Sequence, residues 1–462
     1  MLDRSLVEEV LHHALARGGQ FAEVFVEEKS SVTARLDDGK IEEFTSGLDR
    51  GAGVRVGRGT SFGYAYSNRL DRDALLEAAA AAAASITEPG EAGGVVDLTT
   101  REPGVVHPIA KPPENVPAAD KAAWLRQVDE VARGVDPSVR QVVAVYGDTT
   151  QRVLIAASDG RWVEDTRPRI RLVAQVVAAR DGNIQVGFEG PAALAGAEFI
   201  DQHPPATTAE KAARQAVTML DSIPAPAGEM PVVLGPGCGG VLMHEACGHG
   251  LEADIIDKEA SIYRGRRGDH LASELVTGVD DATVGNAWGS FSFDDEGTPS
   301  QRTVLFEGGD LKGYMYDRLR AEKEGVPSTG NGRRQSYAHV PIPRMTNTYI
   351  LAGESNPGDV LEDTSSGLYV RAIGGGQVNP ANGDFVFGVS EGYVIQNGTL
   401  GKPVRGANLV GRGIDILTAI DAIATDFETR EGICGKDGQG VPVGNGSPTL
   451  RITRMTVGGT GA

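Results

Sequence analysis

Glycine, at 62 of 462 positions, is the residue that most restricts how this chain can fold. A glycine loses more conformational freedom on folding than any other residue, and it weakens helix and strand interiors. So many of them predict short elements joined by numerous turns, and a β-leaning, loop-rich architecture. The chain is also too long for one average core, which argues for two domains of roughly 200 residues each. The sharpest break is Ile223-Pro-Ala-Pro-Ala-Gly, where two prolines and a glycine follow a helical segment. It divides the chain into 1–222 and 223–462.

The first part reads as α+β. Residues 4–17 carry apolar positions at helical spacing, and Gly18-Gly19 ends that helix. Phe21–Val26 reads as a strand. Val32–Leu36 and Ile41–Phe44, joined through Asp38-Gly39, read as a hairpin. Short strands are predicted around Val54 and Val56, around Tyr64 and Tyr66, and over 141–146, 152–157, 161–164 and 170–178. Helices are predicted from Asp71 to about Ser85, over 118–133 and over 208–220. Six prolines between 88 and 117 mark an extended crossover. Beyond 223, glycine-punctuated strands dominate, with helices near 240–250, 317–324 and 414–425. The fold class expected is α+β, an N-terminal mixed domain with an antiparallel sheet followed by a β-rich domain carrying a distorted helix near 240–250.

Charge removes several functional classes. Forty-four basic against 63 acidic residues leave a net −19, which repels phosphate backbones and anionic lipid, so no nucleic acid and no membrane partner is expected. The N-terminus is acidic where a secretory signal would be basic, and the apolar run near Ala78–Ala84 falls short of the ~20 residues needed to span a bilayer. Three cysteines, Cys238, Cys247 and Cys434, are too few for a disulfide framework and fit a cytoplasmic protein.

One segment carries chemistry. His244-Glu245-Ala-Cys-Gly-His249 sets two imidazoles around a carboxylate, one residue longer than the zinc-protease spacing H-E-x-x-H. At ~100° per residue the two histidines would stand about 140° apart on a regular helix. To share one zinc they require the helix to end or widen between them, and Gly248 and Gly250 make such a distortion cheap. Glu245 would then serve as general base toward a metal-activated water. Taken alone, the motif also fits two unrelated histidines, one buried and hydrogen-bonded, the other at a helix C-terminus.

The surrounding sequence narrows this. His244 to Asp254 closely resembles the signature of the TldD/PmbA family of zinc metallopeptidases. So do Asp294-Asp-Glu-Gly-Thr-Pro, Ser328-Thr-Gly-Asn-Gly-Arg-Arg-Gln-Ser-Tyr-Ala-His, Pro343-Arg-Met-Thr-Asn-Thr-Tyr and Gly432-Ile-Cys-Gly-Lys-Asp-Gly. The resemblance is strong over 230–458 and loose before it. It implies a catalytic subunit of TldD type, one Zn2+ per chain held by His244, His249 and Cys434, and unfolded or short peptides as substrate. It also implies a dimer, either with an inactive TldE/PmbA-like homologue or with a second copy, acting in precursor maturation or degradation of small unfolded proteins.

Other residues receive weaker assignments. Cys247, three residues after His244, is a rival third ligand or a packed apolar group. Asp254 is a candidate to orient a ligating imidazole, and His270 and His339 to orient substrate. Arg333 and Arg334 are candidates to grip a peptide carboxylate, unless they lie in a solvated loop. Peptide capture by strand addition would explain broad specificity. The competing functions are a non-catalytic scaffold subunit with a structural zinc, and a small-molecule amidase using the same site.

Overall fold

In the computed structural model, which describes residues 2–59, 61–87 and 90–459, the polar middles of the predicted short strands do not interrupt them. Val139–Ala157 and Arg161–Arg180 are each one continuous strand, as is Lys40–Arg58, which absorbs Val54 and Val56. In the first two, central polar residues stay extended because they are buried against partners. Asp148 pairs with buried Lys121, Arg167 with Asp295, and Arg169 donates to the carbonyls of Trp288 and Ser290. The long strands make an antiparallel sheet in the order Ser61–Ser67, Lys40–Arg58, Phe21–Asp37, Val139–Ala157, Arg161–Arg180. The Asp38-Gly39 turn closes the first hairpin with both residues at positive φ, 47° and 82°, the geometry that matches strand twist.

Helices cover this sheet where their apolar faces fit. Arg4–Leu15, capped by Asp3, buries Val7, Val10, Leu11 and Leu15. Arg72–Ala83 is capped by Asp71 and buries its alanine stripe beside them. Ala118–Val135 and Pro205–Met219 pack over Tyr146, Leu172 and Val176. The crossover between these helix pairs is largely irregular; Glu88 and Pro89 at its start lie outside the described residues.

After residue 223 the described chain builds two large sheets around the largest core, and a two-stranded one from Gly332–Arg333 and Ile342–Pro343. One contains Gly228–Leu234, Ser366–Asn379, Asp384–Gln396 and Leu450–Gly458. The other runs Asp310–Leu311, Arg302–Glu307, Gly278–Asp281, Asn347–Ile350, Gln439–Ser447, Glu428–Lys436, so that Glu428–Lys436 is an edge strand. The expected helix at 414–425 is only Gly413–Thr418; Ile420–Ile423 is a strand, drawn out of the helix by pairing with Leu450–Gly458. The architecture is α+β. Among the described residues no helix is long and apolar enough to cross a membrane.

Candidate metal centre

The motif helix begins as Cys238–Met243, widens to a π-turn over His244–Gly248 and closes with a 3₁₀ turn over His249–Leu251. The His249 N–H donates to the His244 carbonyl, five residues back. This i→i+5 bond absorbs the extra residue of the motif and returns His249 to the face of His244. Gly248 has a helical φ of −53°, so it contributes room rather than an unusual dihedral: a Cβ there would lie 2.0 Å from Met345 Sδ. Leu242, Met243, Ala246 and Cys247 anchor the helix in the core.

Cys434 comes to this helix from the edge strand. Its Sγ lies 3.3 Å from His244 Nε2 and 3.4 Å from His249 Nε2. The three donor atoms all fall within 4.8 Å of one another. A near-tetrahedral zinc with bonds of about 2.0–2.1 Å to N and 2.3 Å to S would set N and S about 3.5 Å apart, so the donor set fits that ion. Burial pushes the Cys434 thiol up, but the imidazoles of His244 and His249 outweigh it and bring the value down to about 4, in the range of a ligating thiolate. Glu245 stands beside this set, its Oε2 3.9 Å from His249 Nε2, with a side chain 26% exposed.

The far nitrogen of His249 is also held. Nδ1 lies 3.0 Å from Oε2 of Glu252, a fully buried carboxylate. Burial pushes Glu252 up, and Lys436 followed by His249 brings it down to about 2. A carboxylate on Nδ1 fixes the tautomer that leaves Nε2 free to ligate. For His249 itself, burial opposes the charged ring, while Glu252 and Cys434 more than offset it and raise the value well above that of a free imidazole.

Three family models match the chain: the PmbA/TldA metallopeptidase C-terminal domain over 227–459, the central domain over 111–220 and domain 1 over 22–86. A Metalloprotease TldD homolog from Haemophilus influenzae is 42% identical over 456 residues, covering 96% of this chain and 94% of its own. The chain belongs to the PmbA/TldD metallopeptidase family. A Metalloprotease TldD homolog from Buchnera aphidicola is 38% identical over 92% of this chain and 90% of its own. TldE from Thermococcus kodakarensis shares the fold with a TM-score of 0.77 at 19% identity, covering 98% of this chain and 99% of that one. A Thermotoga maritima protein described as a candidate modulator of DNA gyrase does so with a TM-score of 0.83 at 21% identity, over 98% and 99%.

Within this PmbA/TldD chain several expected residues stand elsewhere. Asp254 does not reach an imidazole; it is buried against Lys436 at 2.5 Å, and Glu252, two residues earlier, takes the place on His249. Arg333 and Arg334 are neither solvated nor free to bind a carboxylate. Arg333 donates to the carbonyls of Met345 and Pro442, and Arg334 to Glu23 at 2.6 Å and to the Asp295 carbonyl. His339 is half-buried against Ser336 Oγ, and His270 pairs with Asp310 at the surface. Cys247 lies in the apolar core, where burial pushes its thiol up to about 12; it is outside the three-donor group. The sequence did contain a signal for Glu252, a carboxylate three residues after His249 where one helical turn can bring it back.

Proposed function

We propose that this chain is the catalytic subunit of a zinc peptidase that hydrolyses unfolded or short peptides, with His244, His249 and Cys434 as metal ligands and Glu245 as general base. The observation that carries the reading is the convergence of two Nε2 atoms and one thiolate beside a partly exposed carboxylate. Zinc bound there supplies a Lewis acid for the peptide carbonyl and acidifies a water toward neutrality. Glu245 takes the proton from the attacking water and delivers it to the leaving amine. Glu252 keeps His249 in its ligating tautomer throughout. A closed structural site has no use for a solvent-facing carboxylate next to its ligands, which favours this over the scaffold reading.

Strand addition offers a sequence-tolerant way to hold the substrate. Cys434 lies on an edge strand, and the two-residue turn at Asp437-Gly438 sets its register against Gln439–Ser447. Ile433 faces Pro442, which has no N–H, so this is a non-hydrogen-bonded pair. By alternation, the N–H and C=O groups of Glu431, Ile433 and Gly435 point to the open edge, one residue from the metal ligand. The fold shared with TldE supports a partner of related fold, in a TldD/TldE-like heterodimer or a homodimer that encloses the site.

Glu245→Gln tests the assignment. The variant is expected to retain zinc and to lose about 10²–10⁴-fold in cleavage of an unfolded peptide mixture. Cleavage at the wild-type rate sinks the proposal.

A further inference from the structure

Glu252 orients His249 only if it is held in the right place, and no solvent surrounds it to share that task. It is fully buried, and Asp254, 1% exposed, is buried two residues away. Two uncompensated carboxylates in such a site repel each other and favour rearrangement.

Lys258 reaches Asp254 from the surface at 3.8 Å, but the buried cation that lies against both carboxylates is Lys436. Its Nζ lies 3.0 Å from Glu252 Oε2, 2.5 Å from Asp254 Oδ1 and 3.1 Å from the Pro343 carbonyl. The ammonium donates to Asp254 and to the Pro343 carbonyl, and these two bonds hold its charge against Glu252 as an ion pair. The side chain is 7% exposed. Lys436 also follows Cys434 by two residues on one strand, and alternate residues of a strand project to the same face. The register that delivers the thiolate to the motif helix therefore delivers the ammonium to the carboxylate behind it.

We infer that Lys436 is a positioning residue of the metal centre, holding Glu252 against His249 Nδ1 so that His249 Nε2 faces the ion. The inference rests on the metal site proposed above. It makes Cys434 and Lys436 one device: the hairpin contributes a ligand and, through Glu252, the orientation of a second ligand from the other end of the core.

The test is Zn2+ affinity of the metal-free full chain, measured by competition with a chromophoric chelator, in a double-mutant cycle. Lys436→Met and Glu252→Gln are each expected to weaken binding by about 10–100-fold, the usual cost of losing an outer partner of a ligating histidine. If lysine acts through the carboxylate, the double variant binds about as well as the weaker single variant, a non-additivity that a general packing defect does not produce. Lys436→Arg, which keeps the charge, should weaken binding less than Lys436→Met. Melting temperatures without metal check that each variant folds; if Lys436→Met does not, Lys436→Gln takes its place in the cycle. Unchanged affinity in Lys436→Met, or losses that multiply in the double variant, overturns the inference while leaving the metal site standing. A wild-type chain that takes up no Zn2+ overturns the metal site and the inference with it.

Discussion

Three consecutive acidic residues, Asp294, Asp295 and Glu296, are buried together, and their differences show how a neighbour decides a carboxylate's state. Asp295 pairs with Arg167 at 2.6 Å and Glu296 with Arg55 at 2.6 Å. Among the described residues Asp294 has only backbone donors, from Glu296, Thr298 and Gly332. Burial, reinforced by the charge of Glu296, pushes it up to about 8. A folded-state value above the ordinary 3.8 means that Asp294 contributes most to stability at low pH, and that this contribution is lost as pH rises from about 4 to about 8. Asp294→Asn, neutral throughout, should therefore gain stability relative to wild type over that interval. Urea unfolding at several pH values measures it; a wild-type advantage that grows with pH contradicts the assignment. The motif Asp-Asp-Glu-Gly was visible in the sequence, but not which of its acids would find an arginine, since those arginines come from strands more than a hundred residues away.

At the scale of elements, the site depends on how closely the motif helix meets the hairpin bearing Cys434. A Cβ on Gly240 would lie 2.3 Å from the Gly446 N and 2.6 Å from the Asn445 carbonyl carbon, both backbone atoms that cannot rotate away. Gly240→Ala is expected to cost about 1–3 kcal/mol or more in urea unfolding and to weaken metal binding by parting helix and hairpin. Gly435→Ala, where a Cβ meets nothing within 4 Å, is the neutral control. The open edge makes a separate prediction. Ile433→Pro removes one outward N–H without removing a ladder bond, so peptide KM should rise about 2- to 10-fold with zinc content unchanged. An unchanged KM argues against strand addition at this edge. Sequence reasoning found the distortion of the motif helix because a five-residue spacing cannot share a face of an α-helix. It did not find the length of the strands over 139–180, because the polar residues that looked like turns are extended and buried by partners distant in sequence.

Across the whole molecule, the segments 294–300 and 328–341 act as staples between the first sheet and the half that carries the candidate metal centre. Arg334 reaches Glu23, Tyr64 donates to the Tyr337 carbonyl, and the Tyr337 N–H donates to Glu27. The resemblance picked out these segments, and the arginine pair suggested substrate binding; burial turns that pair into structure. The candidate ligand set was accessible from the motif and the resemblance together, whereas Glu252 and Lys436 became apparent only when the hairpin was placed against the helix. The proposed zinc site stands on this long-range closure, in which Cys434 meets histidines 185 and 190 residues earlier. Zinc content per chain, measured on purified wild type and Cys434→Ala, tests it most directly. One zinc per wild-type chain and its loss from a folded Cys434→Ala variant are predicted; a variant that keeps its zinc as firmly as wild type contradicts the account.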